Sequence, residues 1–218
     1  MAYSRQHPSE RYRELMALYR QMHVEGSRIR GLPPLKIFPG ESLLPQLAKI
    51  KRMIARTGAS TILDYGSGKG LQYDLRDVRV AQAGTFASVV DYWDVAGVHC
   101  YDPCYEPFSA LPSGRFDGVI STDVLEHCPE HDVPWIVQEM FSYAGKFVFA
   151  NIACFPARNR LPTGENAHCT IKPAAWWAQV VDDAAAKHAT LLWEFWLHLR
   201  DQSGAYSEQR LANFDHGE

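Results

Sequence analysis

The chain has 218 residues, with 22 Lys and Arg against 25 Asp and Glu and a formal net charge of −3. Its 46 % hydrophobic and 22 % charged residues are those of an ordinary soluble globule, long enough for one α/β domain with terminal additions. No apolar run approaches the roughly 18 residues of a membrane span, Met1 to Glu10 lacks a signal-peptide core, and the 5 cysteines include no C-x-x-C pair, which argues for reduced thiols in a cytoplasmic protein. Charge is uneven: residues 1 to 60 hold 11 Lys/Arg against 4 Asp/Glu, and the rest hold 11 against 21. A solvated helix surface accounts for this more simply than an acidic or nucleic-acid partner.

In chain order, Ser9-Glu10-Arg11-Tyr12 opens a helical stripe of Tyr12, Leu15, Met16, Leu18, Tyr19 and Met22 that runs to about His23. Gly31-Leu32-Pro33-Pro34 breaks the chain. Ser42 is placed to cap a second helix, from Leu43 to Thr57, with Gly58 as its stop. Residues 1–57 therefore read as a helical addition packed on a core that fills 58–218. The first helix suits a lid or substrate wall, although such stripes are more often plain core.

Thr61 to Tyr65 is a short buried strand that breaks into the turn Gly66-Ser67-Gly68-Lys69-Gly70. Leu71 to Arg79 is expected to be a helix with its N-terminus toward a ligand, where free N–H groups favour anionic atoms. The segment from Leu75 to Gly97 is longer than a plain crossover, and its Phe86, Val89, Val90, Tyr92 and Trp93 suggest extra structure over a pocket. Val98 to Tyr101 is a strand ending in Asp102-Pro103. Only 13 residues separate Asp102 from Phe116, too few for a full crossover, so a strand there is vestigial or absent. Phe116 to Ile120 is the next strand, His131 to Ala144 a helix, and Lys146 to Ile152 a continuous apolar strand of the central parallel kind. A polar loop (153–169) follows, then a helix opened by Pro173 and a closing hairpin of 191–199 with 208–214.

The glycine turn admits three nucleotide-site readings. A phosphate-cradling loop needs G-x-x-x-x-G-K-[ST], but Leu63 stands at the first glycine and Gly70 at the hydroxyl. A dinucleotide turn needs G-x-G-x-x-G, and position 71 is Leu. The run from Asp64 to Gly70, D-x-G-x-G-x-G, together with Asp102 at the end of the second strand and Phe116-Asp117 leading to Asp123-Val124-Leu125-Glu126-His127, resembles the class I S-adenosylmethionine (SAM) dependent methyltransferases over residues 58 to 152.

The resemblance implies a Rossmann-like three-layer sandwich. Its sheet would be mostly parallel, with seven strands (or six, the third being vestigial) and an antiparallel last strand. It implies SAM, with S-adenosylhomocysteine as product, held by Asp64, Gly66, Ser67, Gly68 and Gly70, with Asp102-Pro103 at the ribose and Thr122 and Asp123 beside the methionine part. Asp102 lies 32 residues after Gly70, further than usual, and no acidic residue between Glu106 and Asp117 is available for the adenine amino group. Backbone near Ser109 to Leu111 is the substitute.

His168, in the loop after the fifth family strand, is the candidate base, against the alternative that it only shapes its loop. Glu126 and His127 are expected to stabilise the turn after Asp123. A metal at His127 and His131 is disfavoured by Pro129, and none is expected. Tyr73, Trp93 and Tyr105 are candidate aromatic walls for a sulfonium, and Arg158 and Arg160 candidate partners for a carboxylate or phosphate.

Ser121 to Val124 lacks the [DNS]-P-P-[FYW] run of base N-methylating enzymes, and Pro103-Cys104 lies at the wrong strand for a C5-cytosine nucleophile. The expected acceptor is an oxygen or nitrogen of a small molecule, with nucleic acid disfavoured, no membrane, and a homodimer left open. A non-catalytic SAM-binding module and, less favoured, an NAD-linked oxidoreductase are the alternatives.

Overall fold

The computed structural model describes residues 3–201 and 203–215. Helix α1 (Glu10–Glu25) starts where Ser9 Oγ accepts from the Tyr12 N–H at 3.0 Å. Ser42 does not cap the second helix. Pro45 supplies no N–H, so Glu41–Gln46 forms a tight 3₁₀ turn and α2 begins only at Leu47, running to Thr57. Ser42 Oγ instead donates to the Thr122 carbonyl at 3.2 Å. Gly58, at φ 60°, closes α2 as expected.

Strand β1 (Thr61–Tyr65) enters the glycine turn, but no helix follows it. Gly70, at φ 68°, offers no capping side chain, and a single 3₁₀ turn (Leu71–Tyr73) gives way to a hairpin of β2 (Val78–Val80) and β3 (Gly84–Phe86). Left-handed Asp77 and Gln82 bend the chain here, and alternating Val78 and Val80 favour strand. Helix α3 (Val89–Trp93) is capped by Ser88 and leads to β4 (Gly97–Tyr101). Between β4 and β5 (Phe116–Thr122) there is only the turn Glu106–Phe108, as the short spacing requires. Then come α4 (Val133–Tyr143), β6 (Ala144–Ala153), α5 (Ala174–Ala185), β7 (Leu192–Arg200) and β8 (Tyr206–Ala212).

The fold is α/β. Six strands form one sheet in the order β4-β1-β5-β6-β7-β8, all parallel except β8, which pairs antiparallel with β7 at the edge. Strand alternation divides the apolar residues between two clusters. Leu63, Val119, Val148 and Phe195 share one with α1, α4 and α5. Ile62, Ile120, Phe147 and Phe149 share the other with α2 and α3. Burial of each such side chain is worth roughly 1.5–3 kcal/mol before the cost of ordering it.

Phe86, Val89, Tyr92 and Trp93 belong to the second cluster, with the fully buried Trp93 donating to the Leu47 carbonyl at 3.1 Å. They pack beneath α2 and do not cover a pocket. The segment before α1 and the end of β1 are tied to α4: Arg5 pairs with Glu139, and Tyr65 Oη donates to the same carboxylate at 2.6 Å. Among the described residues no helix is long and apolar enough to cross a membrane.

Candidate functional site

At the carboxyl edge of the parallel strands lies a cavity of about 570 Å³, the position ligands take in open α/β sheets. Of the residues singled out in the sequence, Gly66, Ser67, Gly68, Asp102, Pro103, Thr122, Asp123 and His168 face it. Asp64 and Gly70 do not. Asp64 is 1 % exposed, and its Oδ2 accepts from Gln72 Nε2 (3.0 Å) and Tyr73 Oη (2.8 Å). Burial pushes its carboxyl up to about 7, and these two bonds offset that only in part. A side chain at Gly70 would meet Phe108, at 2.8 Å.

The glycine turn is packed against the chain itself. A Cβ at Gly66, where φ is 87°, would fall 2.5 Å from a Val124 methyl, and one at Gly68, where φ is 59°, would fall 2.4 Å from the Phe38 carbonyl oxygen. Glycine is required at both points by close approach as well as by conformation. With no helix after the turn, no helix N-terminus is presented to an anion there.

Asp102 is buried and fixes the turn. Its Oδ2 accepts from the Gly68 N–H (2.9 Å) and its Oδ1 from the Cys104 N–H (2.8 Å). Burial raises its carboxyl to about 6 against the pull of these bonds. Each oxygen keeps a lone pair for a further donor. Next to it, Lys69 Nζ donates to His23 Nδ1 at 2.9 Å, so the imidazole carries its proton on Nε2, 4.0 Å from Asp102 Oδ1. Burial, aided by the Lys69 cation, pushes His23 down to about 3 and keeps it neutral.

On the far side stand two imidazoles, His127 and His168, edge to face with centroids 4.7 Å apart. His127 Nδ1 lies 2.9 Å from the Ala167 carbonyl and His168 Nδ1 2.6 Å from the Phe155 carbonyl. A carbonyl only accepts, so each ring donates through Nδ1, and in the neutral form of the ring Nε2 is the acceptor. Burial, then the neighbouring His168, pushes His127 down to about 4. Below them Glu126, fully buried and with its carboxyl raised well above the ordinary range by burial, accepts from the Ala153 N–H at 2.6 Å. Its main-chain oxygen takes the N–H groups of Cys169 and Thr170. Glu126 thus ties together the two ends of the loop that carries Phe155 and His168.

The aromatic walls differ from those expected. Tyr73 is bonded to Asp64, Trp93 lies in the core, and Tyr105 stacks on His23 with centroids 5.2 Å apart. Tyr12, Tyr19, Phe38 and Phe155 face the cavity instead. Ser109 to Leu111 are not at its wall, and Arg160 turns away to the Gly164 carbonyl, whereas Arg158 faces inward. Among the described residues no three His, Cys, Asp or Glu side chains gather as a metal-ligand set. No family model, curated protein or solved structure matches this chain. Function therefore has to be argued from the chemistry of the cavity.

The first helix does line the cavity, the lid-or-wall role the sequence offered for it, but the residues that do so were not singled out. Met16, Tyr19, His23 and Phe38 all line the cavity, although they precede the first strand by at least 23 positions. The available signal was the pair of aromatic and imidazole side chains in an otherwise aliphatic helix stripe.

Proposed function

We propose that the protein is a class I SAM-dependent methyltransferase acting on an oxygen or nitrogen of a small molecule. The observation that carries the reading is the meeting of three separate motifs at one cavity. The glycine turn after β1, Asp102-Pro103 after β4 and Thr122-Asp123 at the end of β5 all reach it, from three adjacent strands. The two apolar clusters on opposite sheet faces support the Rossmann-like three-layer arrangement that goes with it.

The residues present fit the cofactor. Gln72 Oε1 is buried at the cavity wall without a hydrogen-bond partner, and Ser67 Oγ, buried beside it, has only the weakly bonding Cys100 thiol. Such groups are costly unless a ligand satisfies them. The spare lone pairs of Asp102 suit ribose hydroxyls. SAM when bound supplies a methyl group already activated on sulfonium. The protein's part is then to align the acceptor and to take its proton, for which the Nε2 atoms of His168 and His127 are the available acceptors.

Calorimetric titration with SAM, S-adenosylhomocysteine and NAD tests the reading. Both adenosyl ligands should bind at micromolar concentration and NAD should not. Ser67→Ala should weaken adenosyl binding roughly three- to tenfold, the worth of one hydrogen bond, without lowering the melting temperature. Absence of adenosyl binding, or NAD binding in its place, would sink the proposal.

A further inference from the structure

We infer that the outer half of the cavity is an anion site, in which Arg158 and Arg200 grip a carboxylate or phosphate carried by the acceptor. The inference rests on the methyltransferase reading only in calling the bound anion an acceptor.

Four cations, Arg30, Lys36, Arg158 and Arg200, face the cavity from its rim. Among the described residues none of them has a carboxylate within ion-pair distance, although the chain is acidic overall. Their placement is organised around one loop. The Phe155 carbonyl holds His168 Nδ1, and the Phe155 ring carries the Arg200 guanidinium 4.5 Å above its centroid. Arg158 follows three residues later, and Arg30 donates to the Asn159 side chain. A guanidinium stacked on a ring is oriented by its face while its N–H edge stays free, the arrangement that suits two-point recognition of a carboxylate or phosphate.

The acidic groups of the cavity do not pair with these cations. Asp102 is engaged by the glycine turn, Glu41 lines the wall at the start of the 3₁₀ turn before α2, and Asp123, just after β5, lies near His127 and His198. None of these carboxylates lies within ion-pair distance of Arg30, Lys36, Arg158 or Arg200, so the guanidinium groups around the Phe155 loop keep their charge for a ligand. An anion seated on that loop would place the rest of its molecule beside the Nε2 atoms of His127 and His168, between aromatic walls.

Titration calorimetry with benzoate, phenyl phosphate and the neutral isostere benzamide tests this. Each would be titrated with and without S-adenosylhomocysteine, into the wild type and an Arg158→Gln/Arg200→Gln double variant. At least one anion should bind at least about tenfold tighter than benzamide, and should weaken as salt rises. The double variant should lose about tenfold or more of that affinity while its S-adenosylhomocysteine affinity stays unchanged. The tighter of the two anions decides between carboxylate and phosphate. Equal binding of benzamide, no anion binding at millimolar concentration, or a double variant indistinguishable from wild type would each overturn the inference. Loss of S-adenosylhomocysteine binding with anion binding intact would overturn only the cofactor reading.

Discussion

Asp64 illustrates how far a single buried carboxylate can be read. Its Oδ1 has no hydrogen-bond partner, and its carboxyl is pushed up to about 7 by burial. In the unfolded chain it ionises near 4. Between those values the folded state holds a proton that the unfolded state has released, so the contribution of Asp64 to stability falls as pH rises from about 4 to about 7 and is fully lost above that. Asp64→Asn removes the ionisation and keeps an acceptor for Gln72 and Tyr73. The stability of the variant relative to wild type should therefore improve by about 2–3 kcal/mol from pH 5 to pH 8. Denaturant melts at the two pH values measure it, and a difference that stays constant or shrinks would contradict the assignment. In the sequence Asp64 marks a strand end beside a glycine turn, and that much was legible. That its partners would be Gln72 and Tyr73, and not a ligand, depends on the 3₁₀ turn that folds those side chains back.

At the scale of elements, α1 shows what local pattern delivers and what it leaves out. The stripe from Tyr12 to Met22 and the Ser9 cap were readable, because both depend on neighbours within one helical turn. The docking of α1 was not. Ser9 also donates through Oγ to the fully buried Asp132, whose Oδ1 accepts the Ser9 N–H at 3.0 Å and Trp135 Nε1 at 2.8 Å. That partner is 123 residues away in sequence. Ser9→Ala removes both the cap and a donor to a buried carboxylate, and should cost about 2–3 kcal/mol, more than a cap alone. Ser9→Asn, which retains a cap acceptor, should recover part of it. A thermal melt in which Ser9→Ala matches wild type would show that Asp132 is satisfied without Ser9. The expected helix over 71–79 failed for a complementary reason. Its periodicity was weak, and the left-handed Gly70 and Asp77 at its ends, invisible in a residue count, turned the chain into a hairpin.

Over the whole molecule, the parallel sheet sets the floor of the cavity and the N-terminal chain forms its roof. Short buried apolar runs and the short link after Asp102 made the sheet legible, and the first helix could be read as a lid or wall, but which of its residues meet the glycine turn depends on contacts far apart in sequence. The Phe38 carbonyl accepts from the Lys69 N–H at 3.0 Å and sits where a Gly68 side chain would be. Phe38 itself is held at φ 50°, a conformation unfavourable for a bulky residue. Its ring packs on Tyr19 and His23 of α1, with centroids 5.8 and 5.1 Å away. Any ligand that reaches the glycine turn therefore touches this segment, and the segment and turn should respond to it as one unit. Hydrogen exchange with and without S-adenosylhomocysteine tests the coupling. At a hundred times the dissociation constant, amides that exchange only from the empty protein should slow about a hundredfold, equivalent to roughly 2.7 kcal/mol. We expect this at 66–70 and 36–42 together, while the edge strand β8 stays unchanged. Protection confined to the glycine turn would mean that the segment bearing Phe38 is a fixed wall, uncoupled from the site it covers.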